Sequence, residues 1–373
     1  MFTKIAAAAL AALTLTPAAA AQAAPARDVL QRELDTLVEK YDFPGALGTV
    51  RDSRGRVRHY TAGVGDLKTG AKVPADAYVR VGSNTKTYVA VVALQLAGEG
   101  RLDLDAPVEK YLPKVIRGNG NDGRKITTRM LLNHTSGLPN YTADMPSILE
   151  LRDRYQEPYE LLQQGLAHRP TFPPGKGWAY SNTGYVALGL LIQRVTGRPV
   201  QEEITRRIIR PLGLKHTYWP GAGDQGIRKP HPRGYHFSEP GGTAVDVTEL
   251  DPSWGWAAGQ LIATPGDVNR FFVALLDGKL LKPEQLRQLK KTVKPKDFLP
   301  GFEYGLGIFK IKLSCGGHAW GHGGDIDGYE TRNGVTEDGR AVSFAVTALP
   351  HPTDEEAALA TFKVVDRAIC ATR

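Results

Sequence analysis

Three short stretches, far apart in the chain, carry side chains that could share one proton around an electrophilic carbon. In Ser83-Asn84-Thr85-Lys86 a serine stands ahead of a long apolar run, Val89, Val91, Val92, Leu94 and Leu96. Serine is a good helix N-cap, so the run reads as a helix that Ser83 opens and that Gly98 and Gly100 end. Lys86 then lies one turn on, on roughly the same face, at a rise of about 4.5 Å. A serine hydroxyl is a weak nucleophile without a neighbouring base. A lysine can serve once burial lowers its pKa from about 10.4 toward neutrality. The helix N-terminus adds positive potential, and backbone N–H groups there can face a developing oxyanion. Alone the spacing says little: it arises by chance about once in a chain of this length, and a capped helix with a surface lysine explains it as well.

Tyr180-Ser181-Asn182 follows the turn-rich Phe172-Pro173-Pro174-Gly175 and leads into an apolar helical run, Tyr185 to Ile192. A tyrosine offered from a loop beside a lysine can shuttle a proton, and Asn182 has an amide that could hold a substrate carbonyl. A core aromatic is the plainer reading of Tyr180 by itself. Gly321-His322-Gly323-Gly324-Asp325 falls among C-terminal strands, where glycine often marks close approach by a ligand or another backbone. A substrate laid along such an edge would pair with its backbone groups. His322 alone reads as a structural histidine. Ser253-Trp254-Gly255-Trp256 could set Trp254 as an aromatic wall to a cleft, with core packing an equal alternative.

These residues need a frame. Gly45 to Arg51 and Val57 to Val64 flank the turn Asp52-Ser53-Arg54-Gly55 and predict a hairpin. Helices are expected around 127–134, 148–167, 184–197, 200–210 and 265–277, the last capped by Thr264 with Pro265 in its first turn. The stretch 220–256, rich in Gly, Pro, Trp and His, reads as irregular loops. Strands are expected at 304–312, 318–323, 327–335 and 341–348, with Glu337-Asp338-Gly339 as a hairpin link and a last helix over 353–370. Strands at both ends with helices between them predict an α+β fold: one antiparallel sheet built from both termini, with a largely helical lobe inserted.

The bulk composition narrows the classes. The chain has 373 residues, 42% hydrophobic, enough for a large core, and no low-complexity linker or repeat. Lys4, the apolar run Ile5 to Thr16, Pro17 and Ala21-Gln22-Ala23 have the layout of a secretory signal peptide, with cleavage expected near Ala23. That run falls short of the roughly 20 residues a bilayer span needs. The mature chain is therefore expected outside the cytoplasm with no integral membrane segment. Cys315 and Cys370 are the only cysteines. An exported chain usually pairs two such thiols, the alternative being two free buried ones. The net charge of +8 is scattered, densest at Arg206, Arg207 and Arg210 and at Lys290, Lys291, Lys294 and Lys296. No basic stripe interleaved with aromatics appears, which argues against nucleic acid. Nor does any HExxH or Cys/His ligand spacing suggest a metal or other cofactor.

Taken together and in order, Ser-x-x-Lys, Tyr-x-Asn and His-x-Gly resemble the penicillin-recognising serine hydrolases: D-alanyl-D-alanine carboxypeptidases, class C β-lactamases and their esterase relatives. Val81-Gly82-Ser83-Asn84-Thr85-Lys86, Leu131-Leu132-Asn133-His134-Thr135-Ser136-Gly137-Leu138 and Phe172-Pro173-Pro174-Gly175 extend the match. It runs from about residue 28 to the C-terminus and looks closest to secreted actinomycete DD-carboxypeptidases, a pairing of Cys315 with Cys370 included. The resemblance implies one β-lactamase-like domain over 24–373, with an α/β lobe at 28–82 and 300–373 and a helical lobe at 83–299. It implies Ser83 as the acylated nucleophile and Lys86 with Tyr180 as its proton carriers, in an order left open because coupled groups titrate as a pair. It implies His322 as an electrostatic neighbour of the Tyr180 hydroxyl, and backbone N–H groups of Ser83 and Asp325 as the oxyanion hole, with Asn182 and Gly324 beside the substrate.

The expected substrate is a D-Ala-D-Ala end of a peptidoglycan stem peptide, with β-lactams as covalent inhibitors. An esterase or D-amino-acid amidase, a β-lactamase, and a slowly turning over penicillin-binding sensor are the alternatives. One departure bears on that choice. Carboxypeptidases of this kind carry hydroxyl residues around the third motif, and a nearby cation, for the substrate carboxylate. Gly323 and Asp325 stand there instead, and the nearest cations in sequence are Lys310 and Lys312. An Asp325 side chain facing the cleft would oppose a carboxylate by a few kcal/mol, on the order expected at an effective dielectric near 20.

Overall fold

Both ends of the chain contribute to one antiparallel sheet. In the computed structural model, which describes residues 28–296, 299–353 and 355–372, its order runs Phe302–Tyr304, Phe309–Lys312, His318–Gly321, Tyr329–Val335, Ala341–Val346, Gly45–Arg51, Val57–Gly63. The short strand Gly324–Ile326 pairs off this path against Tyr329–Val335. The N-terminal hairpin joins through Gly45–Arg51, in register from Ala46 opposite Val346 to Arg51 opposite Ala341. The α+β expectation therefore holds. The expected signal segment, 1–23, lies outside the described residues.

Every residue of Tyr329–Val335 and Ala341–Val346 is buried, because helices cover both faces of the sheet. Val29–Tyr41 and the last helix, Glu355–Ala371, pack together and against one face. Val29–Tyr41 was not anticipated. Asp28 caps it by accepting from the Leu30 N–H, and it buries Leu30, Leu34 and Leu37 along one stripe. Pro265–Leu276 covers the other face, capped as expected by Thr264, whose side chain accepts from the Asp267 N–H. Behind it lies Thr85–Gly98, buried on nearly all sides from Thr85 to Leu94, as a helix apolar all round must be.

Three expected elements are broken, each for a local reason. The span 148–167 divides into Ile148–Leu151 and Pro158–Leu166, since Pro158 cannot sit inside a helix and instead begins one. The span 200–210 is helical only over Val200–Ile204 and then widens to a π turn, Thr205–Ile209. The strand 304–312 folds into a hairpin, Tyr304 opposite Phe309, around a turn in which the Gly305 N–H reaches the Ile308 carbonyl at 2.7 Å and Gly307 takes φ +80°.

Cys315 and Cys370 are bonded, with Cα atoms 5.7 Å apart, so the last helix is tied to the loop after Phe309–Lys312. Among the described residues no helix is long and apolar enough to cross a membrane. The bond closes a loop of 55 residues, which in the chain-entropy account is worth roughly 4 kcal/mol. A Cys315→Ser, Cys370→Ser variant should lose about 2–4 kcal/mol of unfolding free energy in urea melts. A loss under about 1 kcal/mol would mean that the packing of the last helix, not the crosslink, holds this corner.

Candidate active site

Ser83 does not cap the central helix, contrary to expectation. It lies in a 3-10 turn, Gly82–Asn84, and the α-helix begins at Thr85. Its hydroxyl is thus directed at Lys86 rather than spent on a cap: Lys86 Nζ lies 2.7 Å from Ser83 Oγ and 2.8 Å from the Ala258 carbonyl. Lys86 is fully buried. Desolvation holds its amine well below the usual lysine range, only partly opposed by the negative charge of Asp325. Tyr180, half-buried, is hydrogen-bonded to Ser83, and desolvation pushes its phenol well above its ordinary value. Its ring lies 4.8 Å from Lys86 Nζ. Both directions favour the uncharged forms. The Ser83 hydroxyl can then donate to the Lys86 lone pair, a Lys86 N–H to Ala258, and the Tyr180 hydroxyl to Ser83.

Backbone approach brings the third motif to this group. A Cβ on Gly324 would stand 1.9 Å from the Val81 carbonyl oxygen, and one on Gly82, at φ +48°, 2.9 Å from the Asp325 nitrogen. Only glycines allow the strand Gly324–Ile326 to lie so near the Ser83 turn. It is there that the backbone of Asp325 comes beside that of Ser83. Buried amides then lock the two segments. Asn84 Nδ2 donates to Thr331 Oγ1 at 2.9 Å and to the Val81 carbonyl at 3.0 Å, while Asn333 Oδ1 accepts from the His322 N–H at 3.1 Å.

His322 lies in the site with its ring 6.3 Å from that of Tyr180, and its hydrogen bonds run to other groups. Its Nε2 is 2.9 Å from the Tyr304 hydroxyl and its Nδ1 is 2.5 Å from the Gly323 carbonyl. Burial, assisted by Lys86, pushes its pKa down to about 3, so the ring is neutral. Tyr180 is held instead by His134, which the sequence reading quoted only within Leu131–Leu138. The buried His134 ring is 4.3 Å from that of Tyr180, its Nδ1 accepts from the Ser181 N–H at 3.2 Å, and its carbonyl accepts from the Ala179 N–H at 3.1 Å.

Ser83, Tyr180, Asn182, His322, Asp325 and Arg332 line a cavity of about 410 Å³ whose remaining wall is mostly apolar: Phe302, Phe309, Ile311, Phe362 and Val365. Asn182 is set there by its own N–H, which donates to Asn140 Oδ1 at 3.1 Å. Lys310 and Lys312 do not reach it. They alternate with Phe309 and Ile311 along one strand and so face the other side, where Lys310 pairs with Glu303 at 3.7 Å. The cation in the wall is Arg332, 2.7 Å from Asp325 Oδ1 and 2.8 Å from Glu330 Oε1. Trp254 is a further correction: it packs with the cluster of Ile148, Leu151, Val247 and Leu250 and is absent from the cavity wall. Its neighbourhood supplies Ala258 instead. Among the described residues no group of three His, Cys, Asp or Glu could hold a metal ion.

The Beta-lactamase family profile matches residues 30–366. The chain is 28% identical to the putative penicillin-binding protein PbpX of Bacillus subtilis (strain 168) over 265 residues, 70% of this chain and 60% of that protein. It is 29% identical to protein flp of Staphylococcus aureus (strain MW2) over 191 residues, 50% of this chain and 38% of that one. It thus spans less than two thirds of the length of these curated relatives. Among solved structures, a D-stereospecific amidohydrolase from Streptomyces sp. is 40% identical with a TM-score of 0.82, covering 90% of this chain and 98% of its own. The D-amino acid amidase of Ochrobactrum anthropi SV3, in complex with L-phenylalanine amide, is 27% identical with a TM-score of 0.81, covering 92% and 97%.

The charge around Lys86 gives a signed prediction. Asp325 raises the Lys86 pKa, so Asp325→Asn should lower it further, and base catalysis needs the unprotonated amine. The acid limb of the kcat/KM profile should then move to lower pH in Asp325→Asn. A limb that stays, or moves up, would assign it to a group other than Lys86.

Proposed function

The chain belongs to the beta-lactamase family, and from that premise we propose that it is a serine hydrolase that cleaves amides of D-amino acids through an acyl-enzyme on Ser83. Ser83 Oγ attacks the carbonyl as its proton passes to Lys86. The tetrahedral oxyanion forms beside the backbone of Ser83 and Asp325. As the C–N bond breaks, the Tyr180 hydroxyl donates its proton to the leaving amine and is reprotonated from Lys86, which returns to its neutral form. Water then retraces the path, giving its proton to the same pair and releasing the acid from Ser83.

The apolar cavity beside Ser83 carries the choice of substrate. Five apolar side chains, three of them phenylalanines, make a space far larger than the methyl group of D-alanine requires. Filling it with an aromatic side chain removes enough apolar surface to contribute about 2 kcal/mol beyond that methyl. Asp325 at its edge disfavours a substrate carboxylate and suits an amide or an ammonium. The likeness to a D-stereospecific amidohydrolase and a D-amino acid amidase supports the same reading.

A second reading, D-alanyl-D-alanine carboxypeptidase on peptidoglycan stems, has the Arg332 guanidinium in its favour, as a cation already present in the wall. On either reading we propose that the protein works outside the cytoplasm, consistent with its disulfide, and that β-lactams acylate Ser83.

The test compares D-phenylalanine amide, its L enantiomer and a diacyl-Lys-D-Ala-D-Ala peptide, with mass spectrometry of the Ser83 adduct. The D-amide should be hydrolysed with kcat/KM at least about tenfold above the other two, as 1.4 kcal/mol or more of pocket binding implies. Ser83→Ala should abolish both turnover and adduct. Faster release of D-alanine from the peptide would replace this reading with the second.

A further inference from the structure

Arg332 and Asp325 are unequal partners. The Arg332 side chain is 7% exposed and that of Asp325 is 56% exposed. Arg332 is fixed from behind: Nη2 lies 2.8 Å from the buried Glu330, which is itself hydrogen-bonded to His351, and the guanidinium lies 4.3 Å from the Phe362 ring. Its Nη1 sits where Gly323 has no side chain, since a Cβ there would come within 3.0 Å of it. Its Nε is buried with no hydrogen-bond partner among the described residues. Such a guanidinium, anchored and facing a cavity, is what a carboxylate ligand requires. What meets its cavity side is the chain's own carboxylate, Asp325, at 2.7 Å.

We propose that Arg332 forms a latent carboxylate-binding position in the substrate cleft and that Asp325 occupies it, so that this pair sets the cleft's preference against substrates with a free carboxylate. With Asp325 in place, the guanidinium is shared between two carboxylates, Asp325 in the wall and Glu330 behind it, beside a Lys86 amine whose charging burial opposes and a neutral His322. An incoming carboxylate meets net negative charge. Without Asp325, Arg332 is balanced only by Glu330, which lies behind it, and its cavity face is open to an anion. The same substitution leaves the apolar wall of Phe302, Phe309 and Phe362 intact. Discrimination by charge and by shape are therefore separable in this cleft.

The inference rests on the acyl-enzyme reading above, and its test does not need amide turnover. The probes are an N-acyl-D-alanyl thioglycolate, whose leaving group carries a carboxylate, and its methyl ester, which does not. The ratio of kcat/KM for acid over ester, taken within one preparation, is independent of the fraction folded. Asp325→Ala should raise that ratio at least about tenfold, the scale of a relieved like-charge contact. Adding Arg332→Met should abolish the gain. Because Arg332 is buried, the double variant may be replaced by a binding measurement on Asp325→Ala alone. Phenylacetate should bind at least about tenfold tighter than to the parent enzyme, and phenylacetamide equally to both. An unchanged ratio, a gain that survives loss of Arg332, or tighter binding of both phenyl compounds would overturn the proposal. Failure to hydrolyse D-phenylalanine amide would sink the amidase reading while leaving this ratio measurable.

Discussion

A lysine amine stripped of water is the constraint on which the molecule is organised. Lys86 Nζ has Ser83 Oγ at 2.7 Å and one carbonyl, Ala258, at 2.8 Å, and the two phenol rings of Tyr180 and Tyr185 near it. Among the described residues no carboxylate pairs with it directly. Asp325, whose charge it feels, is itself tied to Arg332. Desolvation thus dominates over charge and holds the amine well below the usual lysine range. A solvent-exposed or ion-paired lysine three residues after the same serine would be protonated at neutral pH and useless as its base. On the proposed function, the burial of the whole central helix serves the chemistry as well as the packing.

The remaining site follows from how closely backbone can approach that amine. The Ser83 turn and the strand Gly324–Ile326 touch through Gly82 and Gly324, so no side chain intervenes between that turn and the strand's backbone groups. Such proximity would leave buried amide groups without partners unless something linked them. Asn84, Thr331 and Asn333 make those links. His322 and His134 are both neutral and both spent on positioning: one on the Tyr304 hydroxyl and the Gly323 carbonyl, the other on the Tyr180 loop. Uncharged histidines add no charge of their own to the site, and the charges in the cleft wall are those of Asp325 and Arg332, with Glu330 behind them.

What could be read in the sequence was local chemistry and period. The hairpin at Gly45, the Thr264-Pro265 cap and the alternation of the C-terminal strands are properties of adjacent residues. So was the set Ser83, Lys86 and Tyr180, once three motifs were taken in order. The Val29–Tyr41 helix is legible too, in Leu30, Leu34 and Leu37 at helical spacing. What could not be read depended on which way a side chain turns. Trp254 sits in a motif-like stretch and faces a core cluster. Lys310 and Lys312 sit near the third motif and face away from it, because a strand alternates. Arg332 is seven residues past Asp325 with a chain reversal between, and only strand pairing puts its guanidinium against Gly323.

The same burial that lowers the Lys86 pKa works against the fold, and the sign is definite. A lysine whose folded pKa is lowered binds its proton more readily in the unfolded chain, so below the unfolded pKa the native state gives up stability as pH falls. Stability from this group is recovered only as pH rises toward the ordinary lysine value. The opposing contribution comes from the helix that carries it: Val89, Val91, Val92 and Leu94 are fully buried within three turns of Lys86, each contributing about 1.5–3 kcal/mol on transfer from water. The apolar run that marks the helix in the sequence is therefore also what allows a neutral amine to be kept inside it. The proposed reactivity at Ser83 and the packing behind it then follow from one buried face.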